Sequence, residues 1–302
     1  MQPFYSLSIL IINYNSGSYA LECIKSVLKQ ENLALQIIVV DNASQDDSVA
    51  LLRMAFSQEI TLIESSKNLG FACANNLAAT KATNEYLLLL NPDTVIVGPL
   101  DLARLVDFLL QNPKLGMVGP NIEEPTKGKN VKPRLRYPSA HSLKYTQKFN
   151  NLPGDIAWIL GACMLVKRSV YEEIAGFDPD YFLYGEDADI CLRLRLHGYH
   201  IGYCDAIKIL HVGGASEIGA NSLDKWLRKK RGIYLFCKKH FDARDSLEIA
   251  KKTIIKSSVY LFFFTLSSWL TFKHDASVSD KKNRLIATKT AAKELIQQIN
   301  KH

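Results

Sequence analysis

Residues 85–94 read EYLLLLNPDT, in which four consecutive leucines run straight into a polar tetrapeptide. A short apolar run closed by turn residues has the length of a strand buried on both faces, the kind found in parallel sheets. The stop itself is turn chemistry. Pro92 presets φ at the second turn position, and Asn91 and Asp93 can brace the chain through their side chains. Whether Asn91-Pro92-Asp93-Thr94 is only a turn, or also a site, depends on what the rest of the chain brings beside it.

The same pattern recurs on the N-terminal side, with apolar runs at residues 7–12, 37–40 and 60–63 preceding the run at 87–90. Helical periodicity lies between and after them. Leu21, Ile24 and Leu28 share one face, and Leu102, Leu105, Val106 and Leu109 share another, with Pro99 expected at the first helical position. Ser44 and Asp47 have the spacing of a capping box ahead of a helix over 49–56. Strand and helix alternating in this order predict a parallel sheet with helices on its faces.

Such a sheet binds ligands in the crevice at the carboxyl ends of its strands. The first strand ends in Asn13-Tyr14-Asn15, the second in Asp41-Asn42-Ala43-Ser44 and the third in Ser65-Ser66-Lys67-Asn68-Leu69-Gly70. With Asn91-Pro92-Asp93-Thr94, every strand of the set ends in short polar groups able to hydrogen-bond a ligand. No GxGxxG or GxxxxGK[ST] follows any of them, which removes the main support for a dinucleotide or P-loop reading. Residues 121–150, rich in Lys, Pro, Asn and Tyr, read as a long loop or an excursion over the sheet face. Residues 158–169 are strand-like again.

The 302 residues, 47% hydrophobic and 22% charged, fit one large globular domain or a domain with an appendage. No charged and then apolar leader pattern opens the chain, so a secretory signal is not expected. The six cysteines are scattered without a CxxC pair and are expected as buried free thiols in a reducing compartment, not as a zinc site. Net charge is +7 but uneven: residues 217–302 hold 18 Lys or Arg against 8 Asp or Glu, leaving the first 216 slightly acidic. That asymmetry predicts an anionic partner surface at one end and argues against nucleic-acid binding throughout.

Glu186, Asp187 and Asp189 precede or open a helix, where acids are stabilised by the helix dipole. Asp189 pairs with Arg193 at i,i+4 spacing, a structural role, whereas Glu186 and Asp187 stand where a carboxylate can project into the crevice as a general base. His211 ends a strand-like run at 207–210, ahead of Gly213-Gly214; it reads either as structural or as a ligand to a divalent metal.

The order SILIINYN, IIVVDNASQDDS, NLGFACANN, YLLLLNPDT, GACMLVKR, GFDPDYFLYGEDADICLRLRLHGY and ILHVGGAS resembles the family 2 glycosyltransferases of GT-A fold. It is most similar to the rhamnosyltransferase-like branch of bacterial cell-surface polysaccharide synthesis, over about residues 6–216. The resemblance implies an α/β, Rossmann-like nucleotide-diphospho-sugar transferase fold: a mostly parallel central sheet with flanking helices, and a helical C-terminal extension. It implies a catalytic domain over 1–216, a basic helical region over 217–302, and inverting sugar transfer from a nucleotide-diphosphate donor to a glycan or polyprenyl-linked acceptor. On it, Asn13 and Asn15 would lie near the base or ribose, Asp41 would bond the base, and Asn68, Gly70 and Asn75 would line the nucleotide pocket. Asn91 and Asp93 match the family's DxD element, Asp93 being its last Asp and a ligand to Mg2+ or Mn2+, with His211 a further metal ligand. Asp187, beside Glu186, matches the catalytic base, and Gly161 and Ala162 would border the sugar. Asn91 departs from the first acid of that element, and an uncharged amide holds a cation less firmly.

Beyond residue 216, basic clusters flank residues 257–272, which are uncharged but include six Ser or Thr. That stretch is short of the roughly 20 apolar residues a spanning helix needs. It reads as an interfacial helix on an anionic membrane, at the cytoplasmic face of a bacterial inner membrane, or as an ordinary core or dimer helix. Two other readings share this sheet: a non-catalytic nucleotide-sugar-binding protein and a sugar-nucleotidyltransferase. The second expects a basic phosphate loop after the first strand, which NYNSGSY does not supply.

Overall fold

The computed structural model describes residues 5–138, 145, 147–213, 221–271 and 276–301. The four apolar runs are strands β1 (Tyr5–Asn13), β2 (Leu33–Asp41), β3 (Ile60–Glu64) and β4 (Tyr86–Leu90), and they pair in parallel in the order β3-β2-β1-β4. Ile11 lies opposite both Val39 and Leu90, so the four leucines enter the sheet beside β1, between it and the antiparallel part. Alternate residues point to opposite faces. Ile9, Ile11, Leu88 and Leu90 share a buried cluster with Ile24 and Val27 of helix α1 (Ser18–Leu28) and Leu105 and Leu109 of α4 (Asp101–Gln111). Helix α3 (Phe71–Ala79) packs on β1 and β2.

Local details depart from the sequence reading. The buried stripe of α1 is Ala20, Cys23, Ile24 and Val27, which puts Leu28 on its margin at 41% exposure. The capping box does not form. Helix α2 (Ser48–Ala55) has no side-chain bond from Asp47; Asp46 accepts from the Ser48 amide at 3.2 Å instead. Helix α4 starts at Asp101, two residues past Pro99, with its carboxylate accepting from the Gly98 amide at 2.7 Å.

Residues 121–131 are not loop. Strand β6 (Leu115–Glu124) turns through Gly128, at φ 57°, into β7 (Lys129–Val131) as an antiparallel hairpin. Period-2 apolar patterning does not show this because Lys129 and Asn130 of β7 are solvent-facing. The expected run at 158–169 shrinks to β8 (Cys163–Lys167) followed by α5 (Arg168–Glu173), because Trp158 pairs with Arg134 in a separate bridge. Residues 139–144 and 146 of the expected excursion, and Gly214, lie outside the described residues.

Past β4 the sheet continues through β8 and β6 to β9 (His200–His211) and β5 (Thr94–Ile96), giving nine strands. The β6–β9 register shifts between Pro120↔Cys204 and Asn121↔Lys208, so three extra residues of β9 bulge out. Beyond that shift β9 pairs antiparallel with β5, and Thr94 falls opposite His211. The five buried cysteines and the half-buried Cys73 are all free.

These elements form one compact unit, made of Met1–Arg136, Leu152–Phe182 and Glu186–Ile218. The second unit comprises Tyr137–Asn151, Leu183–Gly185 and Gly219–His302. Its helices are α7 (Ser222–His240), α8 (Ala243–Thr271) and α9 (Ala276–Ile299), with α6 (Glu186–Leu196) belonging to the first unit. Helix α9 packs on α7 and α8, and an aromatic cluster of Tyr137, Phe149, Phe236 and Phe241 knits the unit together. No helix among the described residues is long and apolar enough to cross a membrane.

Candidate active site

Strand register brings the polar strand ends together. Asn13 and Asp41 are directly paired across β1 and β2, and the Asn13 amide donates to the Asp41 carboxylate at 2.7 Å. The second Asp41 oxygen accepts from the Ser44 amide at 3.1 Å, and Ser44 Oγ accepts from the Asn15 amide at 2.9 Å. Asn15 holds φ 48° and accepts from the Gln45 amide at 2.7 Å, which ties the first rim loop to the second. Asp41 is thus a buried brace between two loops. Asn42, which the sequence reading did not single out, plays the same part toward the third loop. Its amide donates to Asn68 Oδ1 at 2.9 Å, and its carbonyl oxygen accepts from the Leu69 amide at 2.7 Å.

Gly70 caps α3 at φ 80°, and a Cβ there would sit 2.6 Å from the Phe182 carbonyl oxygen. The Phe71 amide donates to that same oxygen at 2.7 Å, so glycine permits a close crossing of two segments of the chain. Asn75, one turn later, is buried, with its amide on the Phe71 carbonyl and its Oδ1 without a protein partner.

The EYLLLLNPDT stretch ends at a polar corner. Because Thr94 lies opposite His211, the imidazole Nε2 stands 3.2 Å from Asp93 Oδ1 and 3.4 Å from Asn91 Nδ2. Asp93 also holds the chain after His211: its carbonyl accepts from the Val212 amide and its Oδ2 from the Gly213 amide at 3.1 Å. Asp93 and His211 are both buried, and Asn91 Oδ1 and His211 Nδ1 lack protein partners. One carboxylate, one imidazole and one amide suit a divalent cation that draws its remaining ligands from phosphate oxygens. Among the described residues no three His, Cys, Asp or Glu side chains gather into a complete cage.

A second centre adjoins this corner. The Asn91 amide donates to the Ala162 carbonyl at 2.9 Å, which puts the start of β8 beside the end of β4. The preceding Gly161 faces the next element closely, since a Cβ there would be 3.4 Å from Asp187 Cβ. The Asp187 carboxylate accepts from the Ala188 amide at 2.8 Å and from the Gly161 amide. Burial raises its pKa above the usual carboxylate range, while those amides and the Arg134 charge pull the other way. Glu186 is buried with Oε2 unpartnered, and burial together with the neighbouring Asp187 raises its pKa further. Asp189 does form its ion pair with Arg193, at 2.8 Å. The structure therefore gathers Asn91, Asp93, His211, Gly161, Ala162 and Asp187 in one neighbourhood, while Asn13, Asn15, Asp41 and Asn68 stitch the rim loops.

Such an arrangement offers hydrogen-bonding loops for a polar ligand, a cation corner for phosphate, and a carboxylate of raised pKa for moving a proton. The sequence profile described as Glycosyl transferase family 2 matches residues 8–175. The chain is similar to N-acetylglucosaminyl-diphospho-decaprenol L-rhamnosyltransferase of Mycobacterium tuberculosis, 24% identical over 76% of this chain and 83% of that protein. It is also similar to a low-salt glycan biosynthesis hexosyltransferase of Haloferax volcanii, 26% identical over 88% and 84% of the two chains. Among solved structures it resembles a mannosyltransferase of Pyrobaculum calidifontis in complex with GDP-Man and Mn2+, with a TM-score of 0.61 at 15% identity, covering 96% and 86% of the chains.

Proposed function

Because the chain belongs to glycosyl transferase family 2 and has the GT-A fold, we propose that this glycosyltransferase moves a sugar with inversion onto a lipid-linked glycan, from a nucleotide-diphosphate donor. The observation that carries the reading is the meeting of Asn91, Asp93 and His211, from distant parts of the chain, beside Gly161 and Asp187. The donor nucleotide would lie along the loops after β1, β2 and β3, with its diphosphate at the Asp93–His211 corner. Mg2+ or Mn2+, when bound, would supply positive charge against the diphosphate as it leaves. Asp93 and His211 would hold that ion, with Asn91 adding a neutral oxygen.

Asp187 would act on the other side of the sugar. It takes the proton of the acceptor hydroxyl as the new glycosidic bond forms and the bond to the diphosphate breaks with its electron pair. Its Ala188 and Gly161 amide bonds orient the carboxylate. A pKa raised by burial makes it a stronger base than an exposed aspartate while it remains ionised near neutral pH. Glu186, being the more readily protonated of the two, would leave the charge on Asp187.

Rhamnose as the donor sugar and a diphospho-prenol glycan as acceptor are supported by the mycobacterial relative's name, and cell-surface polysaccharide synthesis follows from both. Attachment to an anionic membrane surface, at the cytoplasmic face of a bacterial inner membrane, is supported by α8. Its solvent side exposes Ile255, Val259, Phe262 and Phe263, and Lys251 and Lys256 are exposed on the same helix. Thermal denaturation with a panel of nucleotide sugars, each with and without Mn2+, tests the reading. The donor should raise the midpoint in a metal-dependent way, and sugar transfer to a prenyl-diphosphate glycan should follow. No stabilisation by any nucleotide sugar would remove the proposal.

A further inference from the structure

Arg134 and Trp158 lie close to the candidate base and belong to neither the cation corner nor the rim loops. Their backbones form a two-way bridge: the Arg134 amide donates to the Trp158 carbonyl at 2.8 Å, and the Ala157 amide donates to Arg134 O at 2.8 Å. The indole Nε1–H donates to the Arg136 carbonyl at 3.0 Å, which fixes the ring, and the Arg134 guanidinium stands over it at 6.0 Å. Trp158 is three residues before Gly161, on which Asp187 packs, and the Arg134 charge acts on the Asp187 carboxylate. Arg134 is exposed, and among the described residues its guanidinium forms no ion pair.

A guanidinium that meets no carboxylate among the described residues thus stands beside an indole held by its own hydrogen bond. A guanidinium matches phosphate oxygens in a planar fork, and an indole offers a broad apolar face to a sugar ring. We propose that Arg134 and Trp158 form the acceptor subsite, taking the first acceptor sugar against the indole and its linking phosphate on the guanidinium. This rests on the reading of Asp187 as the base on the acceptor side. It adds that the enzyme selects acceptors by the phosphate that carries the sugar.

The test uses the full chain and two acceptors with the same N-acetylglucosamine, one on a short-chain prenyl diphosphate and one as a neutral prenyl glycoside. Arg134→Gln should raise KM for the diphosphate acceptor by about tenfold, the worth of a charge-assisted phosphate contact, with kcat little changed. The same variant should leave KM for the neutral glycoside unmoved, and Arg134→Lys should recover part of the loss. Trp158→Ala should raise KM for both acceptors. Stabilisation by nucleoside diphosphate with Mn2+ should persist in every variant, which also reports that each has folded. Equal effects of Arg134→Gln on both acceptors, a fall in kcat alone, or loss of the nucleotide response would overturn the proposal. A wild-type protein with no nucleotide response would instead count against the site reading beneath it.

Discussion

Replacing Asp187 with Asn should pull activity and stability in opposite directions. The substitution removes a proton acceptor but keeps an oxygen that can accept from the Ala188 amide, now at 2.8 Å. Loss of a general base costs about 10²- to 10⁴-fold in rate, or about 3–5 kcal/mol of transition-state stabilisation. Stability moves the other way because burial raises the Asp187 pKa in the folded protein. A carboxyl whose folded pKa exceeds its unfolded value costs nothing below the unfolded pKa. Above it the native state loses stability, up to the folded pKa, and the loss then stays constant. Asparagine has no charge to lose, so at neutral pH the variant should be more stable by about 3 kcal/mol, with the difference vanishing near pH 4. Thermal denaturation from pH 4 to 8, alongside a transfer assay with radiolabelled donor, measures both effects. Wild-type activity should also decline as pH falls and Asp187 becomes protonated. A variant that kept full transfer activity, or whose stability difference did not change with pH, would refute the reasoning.

Asp93→Asn and His211→Ala should each weaken Mn2+-dependent stabilisation by nucleoside diphosphate, with the Asp93 variant affected more because it loses the charged carboxylate that faces His211. Isothermal titration with Mn2+ and nucleotide checks this, and equal affinities in wild type and variants would argue against the corner. Gly70→Ala should destabilise the fold by about 2–4 kcal/mol, since the added Cβ meets the Phe182 carbonyl at 2.6 Å on a backbone at φ 80°. A denaturant midpoint close to wild type would contradict that. Replacing Phe262 and Phe263 with Ser should abolish flotation with anionic vesicles while leaving transfer to a water-soluble acceptor unchanged. Undiminished flotation would detach the membrane from α8.

Much of the parallel sheet was legible because its strands announce themselves as apolar runs. Residues 7–12, 37–40, 60–63 and 87–90 all lie inside observed strands, and each carries its polar ending to one rim. The capping box failed for a physical reason: Ser44, free to cap in isolation, is taken by the Asn15 amide of another loop. Leu28 was misplaced because a stripe of small and apolar residues, Ala20 to Val27, defines the helix face better than leucines alone. The β6–β7 hairpin was invisible because its short second strand is polar and exposed. At the site, Asn91 and Asp93 could be read from their own segment, but the partnership with His211 depends on a register shift far downstream, between Cys204 and Lys208 of β9. No periodicity encodes such a shift. Arg134 and Trp158 were missed for a similar reason, since they meet through an isolated bridge and carry no motif. Asn42, by contrast, had a signal: it stands in the same strand ending as Asp41 and has two hydrogen-bonding groups to offer.

The amide of Gly213 gives the cation corner a spectroscopic handle. Its N–H points at Asp93 Oδ2, the carboxylate whose other oxygen faces His211. A cation drawn to that carboxylate competes for the electron density that polarises this N–H bond. The resonance of one backbone amide would then shift upfield as the corner fills, in proportion to the fraction of molecules loaded. Occupancy could be followed residue by residue in solution, with a diamagnetic ion such as Mg2+ and without turnover.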